Sequence, residues 1–457
     1  MHQQTDVLTR LNPRRWFAMI PMLLGVFLGA VTISSATTAL PSMITELSLS
    51  TVEATWIIDA YPLALAVSLV VAARTGDRFG RRRMMILGFA GFAAFNLVGG
   101  FAQSGLALIA ARTLLGFAEA LVIASVVATI GVHFRARERV FAYGLWTATF
   151  GAGSALGPLI GGLLSDGPGW RWTMYAAAPV AAAALVLAAW LVPESRTSTR
   201  PSWDFASIAL SIVALAGIVY GLQHAALAPV TAAIVGVTGV VALVLFVRRQ
   251  RRLHDPLIDV NLFANGRFSV AYLQILVTTG TSNATVFLVS LHLQQTRGYS
   301  AIEAGITLLP HAALIVIGGV LAPLTLRIFS SGVATALALI AQASGLIWVS
   351  VQPENFIAPL VLIGLGMGVV GTLSAAALFD VTTSDQAGQV GAIQEVGFAL
   401  GAGLGIAVFG AIAAALGING FSVAFVAAAV TAAVAGVLPV SQRSRRRRAP
   451  DAQLTRN

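Results

Sequence analysis

Four ionisable residues stand inside long apolar stretches of this chain: Asp59, Arg112, Glu119 and Glu395. An ionised side chain within a hydrocarbon layer costs about 2.5–3.5 kcal/mol even on a lenient insertion scale, so each of the four needs a reason. The chemistry open to them is the movement of charge: an acid and a base that pair or part, and carboxyls that take up and release protons. Arg112, Gly116 and Glu119 recur at i, i+4 and i+7 and so share one helix face. A carboxyl near mid-membrane is costly to keep ionised, which suits a proton carrier at Glu119. It could equally attract a cationic group or hydrogen-bond a neighbouring helix. Asp59 and Arg112 each lie about five or six residues into an apolar stretch entered from the same side, roughly 8–9 Å deep, so the two can pair. That pair is either structural or a switch opened by protonation of Asp59. Glu395, in Gln394-Glu395-Val-Gly397, reads as a cavity group or as a carboxylate at the membrane interface.

The elements that position these residues are legible as apolar blocks. The chain has 457 residues, 57% hydrophobic and 10% charged, where soluble domains carry about 25% charge. Fourteen blocks are long enough to approach the roughly 20 residues that cross a bilayer: 16–43, 54–73, 84–101, 106–132, 140–164, 173–192, 205–223, 226–247, 268–293, 302–326, 333–351, 356–378, 390–416 and 421–439. Within lipid only helices or closed barrels satisfy the whole backbone. The alternating strands of a barrel are missing, so an all-α integral membrane protein is expected. The apolar run after the basic segment 1–15 is too long for a signal-peptide core and is read as a retained first span.

Every one of the 28 basic residues is Arg. With the N-terminus placed in the cytoplasm and the spans alternating, 25 of these arginines fall in cytoplasmic segments. Only Arg171 and Arg297 fall outside, and Arg112 lies within a span. This is a strong positive-inside bias, and it supports an even number of spans with both termini cytoplasmic. The net charge of +10 therefore reflects topology and contact with anionic lipid, to which the tail Arg443-Ser-Arg445-Arg-Arg-Arg448 adds; no nucleic-acid partner is expected.

Spans one to six and nine to fourteen read as two halves. Residues 1–192 form the first, 193–267 hold two extra helices and a linker, 268–440 form the second, and 441–457 are a basic tail. Gly151-Ala-Gly-Ser-Ala-Leu-Gly157-Pro158 in span five is matched by Gly401-Ala-Gly-Leu-Gly405 in span thirteen. Paired halves around a central site are a common plan of secondary transporters.

Local motifs then narrow the reading. Gly76-Asp77-Arg78-Phe79-Gly80-Arg81-Arg82-Arg83 follows span two, where Asp77 is expected at the start of the next helix. Span five carries Gly153-x-x-x-Gly157-Pro158-x-x-Gly161-Gly162, span two opens with Trp56-Ile-Ile-Asp59-Ala-Tyr61, and span four holds Arg112-x-x-x-Gly116. Asp255-Pro-Leu-Ile-Asp-Val-Asn-Leu-Phe263 and Leu308-Leu-Pro310 extend the pattern into the second half. Together these resemble the major facilitator superfamily, and within it the fourteen-span drug:proton antiporters of the quaternary-ammonium and multidrug efflux type.

The resemblance implies the major facilitator fold with two inserted helices, and alternating-access export of drug-like molecules in exchange for protons. It implies no cofactor beyond the proton gradient, residence in a bacterial cytoplasmic membrane, and a working monomer. It gives the span-two loop (Gly76, Asp77, Arg78, Gly80, Arg81, Arg82) a conformational latch role, against lipid anchoring alone. Gly153, Gly157, Pro158, Gly161 and Gly162 become a packing and sealing element. Ala73 and Thr75 depart from the loop pattern, and Val31-Thr-Ile-Ser-Ser lacks the span-one acid of several cation exporters, which weakens an expectation of cationic substrates.

Other classes fare worse. There is no Lys and hence no Gly-x-x-x-x-Gly-Lys loop for ATP, no Cys, and no catalytic or metal-ligand constellation. The longest polar loop, 248–267, is short for a sensor domain. Uptake by symport, or export of a single endogenous metabolite, remain as alternatives. His133, His224 and His292 sit at span ends; His311 follows Pro310 within span ten.

Overall fold

The computed structural model describes residues 14–134, 136–196, 204–223, 228–299, 301–352, 354–383, 386–416 and 419–447. The start of the basic N-terminal segment, His224 and tail residues 448–457 lie outside them. Each of the fourteen apolar blocks forms a helix. In order they are α1 (Met19–Leu47), α2 (Thr51–Phe79), α3 (Arg81–Gly100), α4 (Gly105–His133), α5 (Ala136–Asp166), α6 (Ala177–Leu191) and α7 (Phe205–Gln223). They continue as α8 (Pro229–Gln250), α9 (Gly266–Arg297), α10 (Ala301–Thr325), α11 (Ser331–Val351), α12 (Ile357–Asp380), α13 (Ala387–Ala415) and α14 (Gly420–Arg447). Among the described residues thirteen spans are long and apolar enough to cross a membrane, and α7 is a shorter apolar helix. The expected fourteen-helix, all-α membrane fold is thus present.

Local chemistry sets several boundaries. Ser50 caps α2 by accepting the Glu53 N–H at 3.3 Å, while Glu53 accepts the Ser50 N–H at 2.9 Å. Gly80 separates α2 from α3 with φ +109°, a conformation that side chains resist. α14 runs on to Arg447, into the segment expected as a tail.

The chain divides into two compact units. The first extends to Asn261 and includes Thr382–Ala399, the start of α13; the second comprises Leu262–Val381 and the chain from Leu400. In the first unit α2 packs on α4, α1 on α5 and α6, and α3 on α4 and α6. In the second, α10 packs on α12, α11 on α12 and α14, and α9 on α14. Moving eight helices along the chain converts the first set, all but its α1–α5 pair, into the second.

The glycines of the repeat explain one further pairing. A Cβ on Gly153, Gly157 or Gly161 of α5 would press on Ala30 (2.7 Å), Ser34 (2.5 Å) or the Ser35 carbonyl (2.7 Å) of α1. Likewise a Cβ on Gly401 would lie 2.7 Å from the Leu276 carbonyl of α9, and one on Gly405 would collide with Gly280. Small residues let these backbones touch, as helix association in lipid requires. Gly162 differs, since an added Cβ would meet only Thr38 at an ordinary 3.7 Å.

The inserted α7–α8 pair belongs to the first unit, with α7 against α2. Gly217 and Gly221 face Gly239 and Gly236 across the hairpin. Its outer face is apolar and exposed at Val230, Ile234, Val237 and Val241, as a lipid-facing helix demands.

Candidate functional site

The charged residues of the first unit converge on the face of α4. Gly116 sets the approach: a Cβ there would lie 2.9 Å from the Leu65 N of α2 and would collide with the Tyr61 carbonyl. One turn earlier Arg112, which is buried, holds its guanidinium 5.6 Å from the Tyr61 ring centre, a cation–π contact. Its Nε and Nη2 have no hydrogen-bond partner. Asp59, two residues before Tyr61, is half-buried and acts on Arg112 electrostatically. Asp59 is the ninth residue of α2 and Arg112 the eighth of α4, deeper than the apolar blocks suggested, yet level with each other.

Glu119 lies two turns on. It is 1% exposed, and its Oε1 has no hydrogen-bond partner. The carboxyl lies over Gly29 of α1, where any Cβ would collide with Oε1. The Tyr61 hydroxyl, buried and also without a partner, is at the same place. Glu395 in the first part of α13 is the charge that acts on Glu119. It is half-buried and accepts a hydrogen bond from the Gln394 amide at 3.2 Å. Next to it α5 presents Tyr143, Trp146 and Phe150. The Trp146 ring stacks on Phe150 at 6.1 Å and meets Phe398 of α13 at 5.4 Å. Trp146 Nε1 and Gln394 Oε1 are buried without partners.

The structure therefore brings Asp59, Arg112, Glu119 and Glu395 into one electrostatically linked file. Tyr61 and Gln394, given no role from the sequence beyond the strings that contain them, and Trp146, which no motif includes, belong with them. A detectable signal existed, since each is a polar group within an apolar span.

In the span-two loop, Asp77 does not open the next helix. It occupies the last turn of α2, because the turn comes at Gly80, three residues later. A helix C-terminus disfavours a carboxylate, and two features offset this. Arg81, at the start of α3, donates to Asp77 Oδ1 at 2.8 Å with both side chains buried. The carboxylate also lies on the N-terminal turn of α13, where a Cβ on Gly388 would collide with both its oxygens. The favourable dipole comes from a helix 300 residues away in sequence, roughly, rather than from the adjacent one.

The three consecutive arginines have different fates. Arg81 is buried, Arg82 donates from its side chain to the Ala189 carbonyl and from its N–H to Glu194 (3.1 Å), and only Arg83 is largely exposed. Arg78 lies 5.6 Å from the Phe79 ring, and a Cβ added at Gly76 would meet Arg81 at an ordinary 3.7 Å. Pro158 is accommodated inside α5.

Among the described residues the second unit has a buried polar core without carboxylates. Gln342 of α11 accepts from the Thr278 hydroxyl (2.8 Å) and donates to the Thr278 carbonyl (3.1 Å) and the Thr281 hydroxyl (2.9 Å). Gln274 accepts from Ser374 at 3.3 Å, and His311 shares a 2.7 Å hydrogen bond with Ser282. His292 packs on Phe421, and His133 in the first unit bonds the Thr129 carbonyl at 3.1 Å. No cluster of His, Asp or Glu suited to a metal occurs among the described residues.

Comparison with known proteins adds sequence and fold relatives. The family model described as Major Facilitator Superfamily matches residues 22–405. The chain is 33% identical over 416 residues to the multidrug efflux pump LfrA of Mycolicibacterium smegmatis, covering 89% of this chain and 82% of that one. It is 29% identical over 419 residues to the tetracenomycin C resistance and export protein of Streptomyces glaucescens, with coverages of 88% and 77%. Puromycin resistance protein pur8 of Streptomyces alboniger is 31% identical, with coverages of 86% and 81%. The crystal structure of the human organic anion transporter MFSD10 (TETRAN) is similar in fold, with a TM-score of 0.71 and 16% identity over 94% of this chain and 100% of that one.

Proposed function

Because this chain belongs to the Major Facilitator Superfamily, and is accordingly a multi-pass membrane transporter of small molecules and not an enzyme, we propose that it exports amphipathic, planar drug-like molecules in exchange for protons. The observation that carries the reading is Glu119: a buried carboxyl whose Oε1 has no partner, with Glu395 as its neighbouring charge. A carboxylate left ionised there is costly, and a protonated one is not. Proton uptake and release at Glu119 therefore carry a large energy difference, which is what coupling needs. Asp59 and Arg112 form the outer relay, and Tyr61 connects the two.

The aromatic wall of Trp146, Phe150 and Phe398 beside Glu395 favours a flat substrate. The names of the relatives, which refer to multidrug efflux and to tetracenomycin C export, support the export of drug-like molecules. Access to this site alternates between the two sides of the membrane. The Asp77–Arg81 loop latches one conformation, and the span-five glycines seal the α1–α5 seam. The protein works as a monomer in a bacterial cytoplasmic membrane with both termini inside, uses the proton gradient and no cofactor, and meets anionic lipid through its exposed arginines.

The test is ethidium accumulation in energised everted vesicles. Uptake abolished by a protonophore and by Glu119→Gln is expected. Uptake indifferent to the protonophore would remove antiport. A second reading, export of one antibiotic or metabolite, is favoured by the single-compound names among the relatives. A resistance panel in an efflux-deficient host separates the two, since that reading predicts protection against one compound class only.

A further inference from the structure

The linker that follows the inserted hairpin is tied at both ends of a short course. At its start, Gln250 of α8 accepts the N–H groups of Leu257 (2.6 Å) and Ile258 (3.3 Å), and donates to Ser207 of α7 at 2.6 Å. Arg249 donates twice to Asp204, each at 2.9 Å, which fastens the base of the hairpin. From this base the linker reaches two functional helices. Asp255 accepts from Arg74 of α2 at 2.6 Å, and that arginine is only 5% exposed. Leu257 is buried beside it in sequence. The Asp259 N–H donates to Gln389 of α13 at 3.1 Å, Gln389 returns a bond to the Pro256 carbonyl at 3.5 Å, and Gln386 donates to Asp259 at 3.4 Å.

Two features make this more than loop packing. Arg74 is one turn before Asp77, and Gln389 follows Gly388, which Asp77 abuts. The linker therefore spans the same junction, the end of α2 with the start of α13, from the opposite direction. Gln389 also stands fewer than two turns before Gln394 and Glu395 on the same helix. A displacement of the α13 N-terminus is transmitted along a rigid helix to both residues.

We propose that residues 253–261 are a strap by which the inserted α7–α8 pair holds the start of α13 on the end of α2, making Arg74, Asp255 and Gln389 positioning residues for the Glu395 site. The inserted pair is then a working part of the transporter, and release of the strap accompanies opening at the arginine-rich end. The proposal rests on the transport reading given above for its consequence, and on the geometry alone for the strap.

The natural chain has no Cys, so introduced pairs are the only thiols. In the full-length protein in vesicles, Asp259→Cys with Gln389→Cys ties strap to α13, and Asp204→Cys with Arg249→Cys ties the hairpin only to itself. Oxidation of the first pair is expected to stop ethidium transport, with recovery on reduction; oxidation of the second is expected to leave it. A separate arm needs no transport: the rate at which a membrane-impermeant maleimide labels Gln389→Cys in everted vesicles. Asp255→Asn is expected to raise that rate severalfold, and the exchange Arg74→Asp with Asp255→Arg to return it towards the parent value. A labelling rate indifferent to Asp255→Asn, or full transport through the oxidised strap pair, overturns the proposal. Absence of ethidium transport in every variant, the reduced parent included, counts against the transport reading, while the labelling arm still decides the strap.

Discussion

The two units share a helix-packing plan but fill their polar interiors in opposite ways. In the first, buried charges stand among the polar groups, and many atoms lack partners: Tyr61 Oη, Arg112 Nε and Nη2, Glu119 Oε1, Ser125 Oγ, Thr129 Oγ1 and Gln394 Oε1. In the second, Thr279 Oγ1 is the single unpartnered buried side-chain atom among the described residues. Its glutamines, threonines and serines are neutral and bond one another across α9, α11 and α12. A closed neutral network fixes one arrangement of helices, because any slip leaves a donor or acceptor unpaired in a medium that cannot replace it. Unpaired charge has the reverse effect, since the arrangement is poised to respond to a proton or a ligand. The two units thus differ in what fills the polar interior: unpartnered polar groups and buried charge in the first, a bonded neutral network in the second.

This contrast can be broken by experiment. Glu119→Gln should give the largest change, a fall in proton-driven ethidium transport of about 100-fold, the scale of losing a positioned proton carrier. An equal fall in Gln342→Leu at matched protein levels would erase the distinction between the units. Next comes Gly161→Leu, which forces a side chain into the Ser35 backbone of α1. Overpacking costs typically 1–3 kcal/mol, so a lower melting temperature in detergent and a proton leak in vesicles are expected. Gln342→Leu itself should cost about 1 kcal/mol, the usual scale of a polar contact between membrane helices. It should lower the melting temperature while the pH profile of transport stays in place. His311→Asn keeps a polar partner for Ser282 and should leave that profile unmoved; a displaced profile would make the second unit responsive too.

The smallest effect concerns the hairpin base. Hydrogen bonds from Arg249 hold the Asp204 carboxyl below its ordinary range, and bonds from Ser207 act in the same direction. A depressed carboxyl adds stability that is complete above its unfolded pKa and is lost as pH falls through the folded one. Asp204→Asn should therefore lower the melting temperature slightly and equally across neutral and mildly acidic pH. A difference that already vanished at pH 6 would refute this.

Composition and block length sufficed for the helices, because lipid leaves a backbone few ways to satisfy its hydrogen bonds. Arginine placement sufficed for the even span number. The four ionisable residues were legible for the same reason, since a charge in an apolar stretch is conspicuous wherever it folds. Partners were another matter. Asp77 sits in the last turn of α2, and its favourable dipole comes from α13, whose neighbourhood no local pattern reveals. Gly162 matches its motif yet bears no close contact, whereas Gly29, outside every motif, makes room for Glu119. The strap is the clearest instance: Asp255-Pro-Leu-Ile-Asp259 was visible as a string, but its hold on Arg74 and Gln389 joins residues 181 and 130 positions apart. Membrane insertion acts on one helix at a time and can be read from one stretch of sequence. Which polar groups meet is set by packing between helices, and only the tertiary structure decides it.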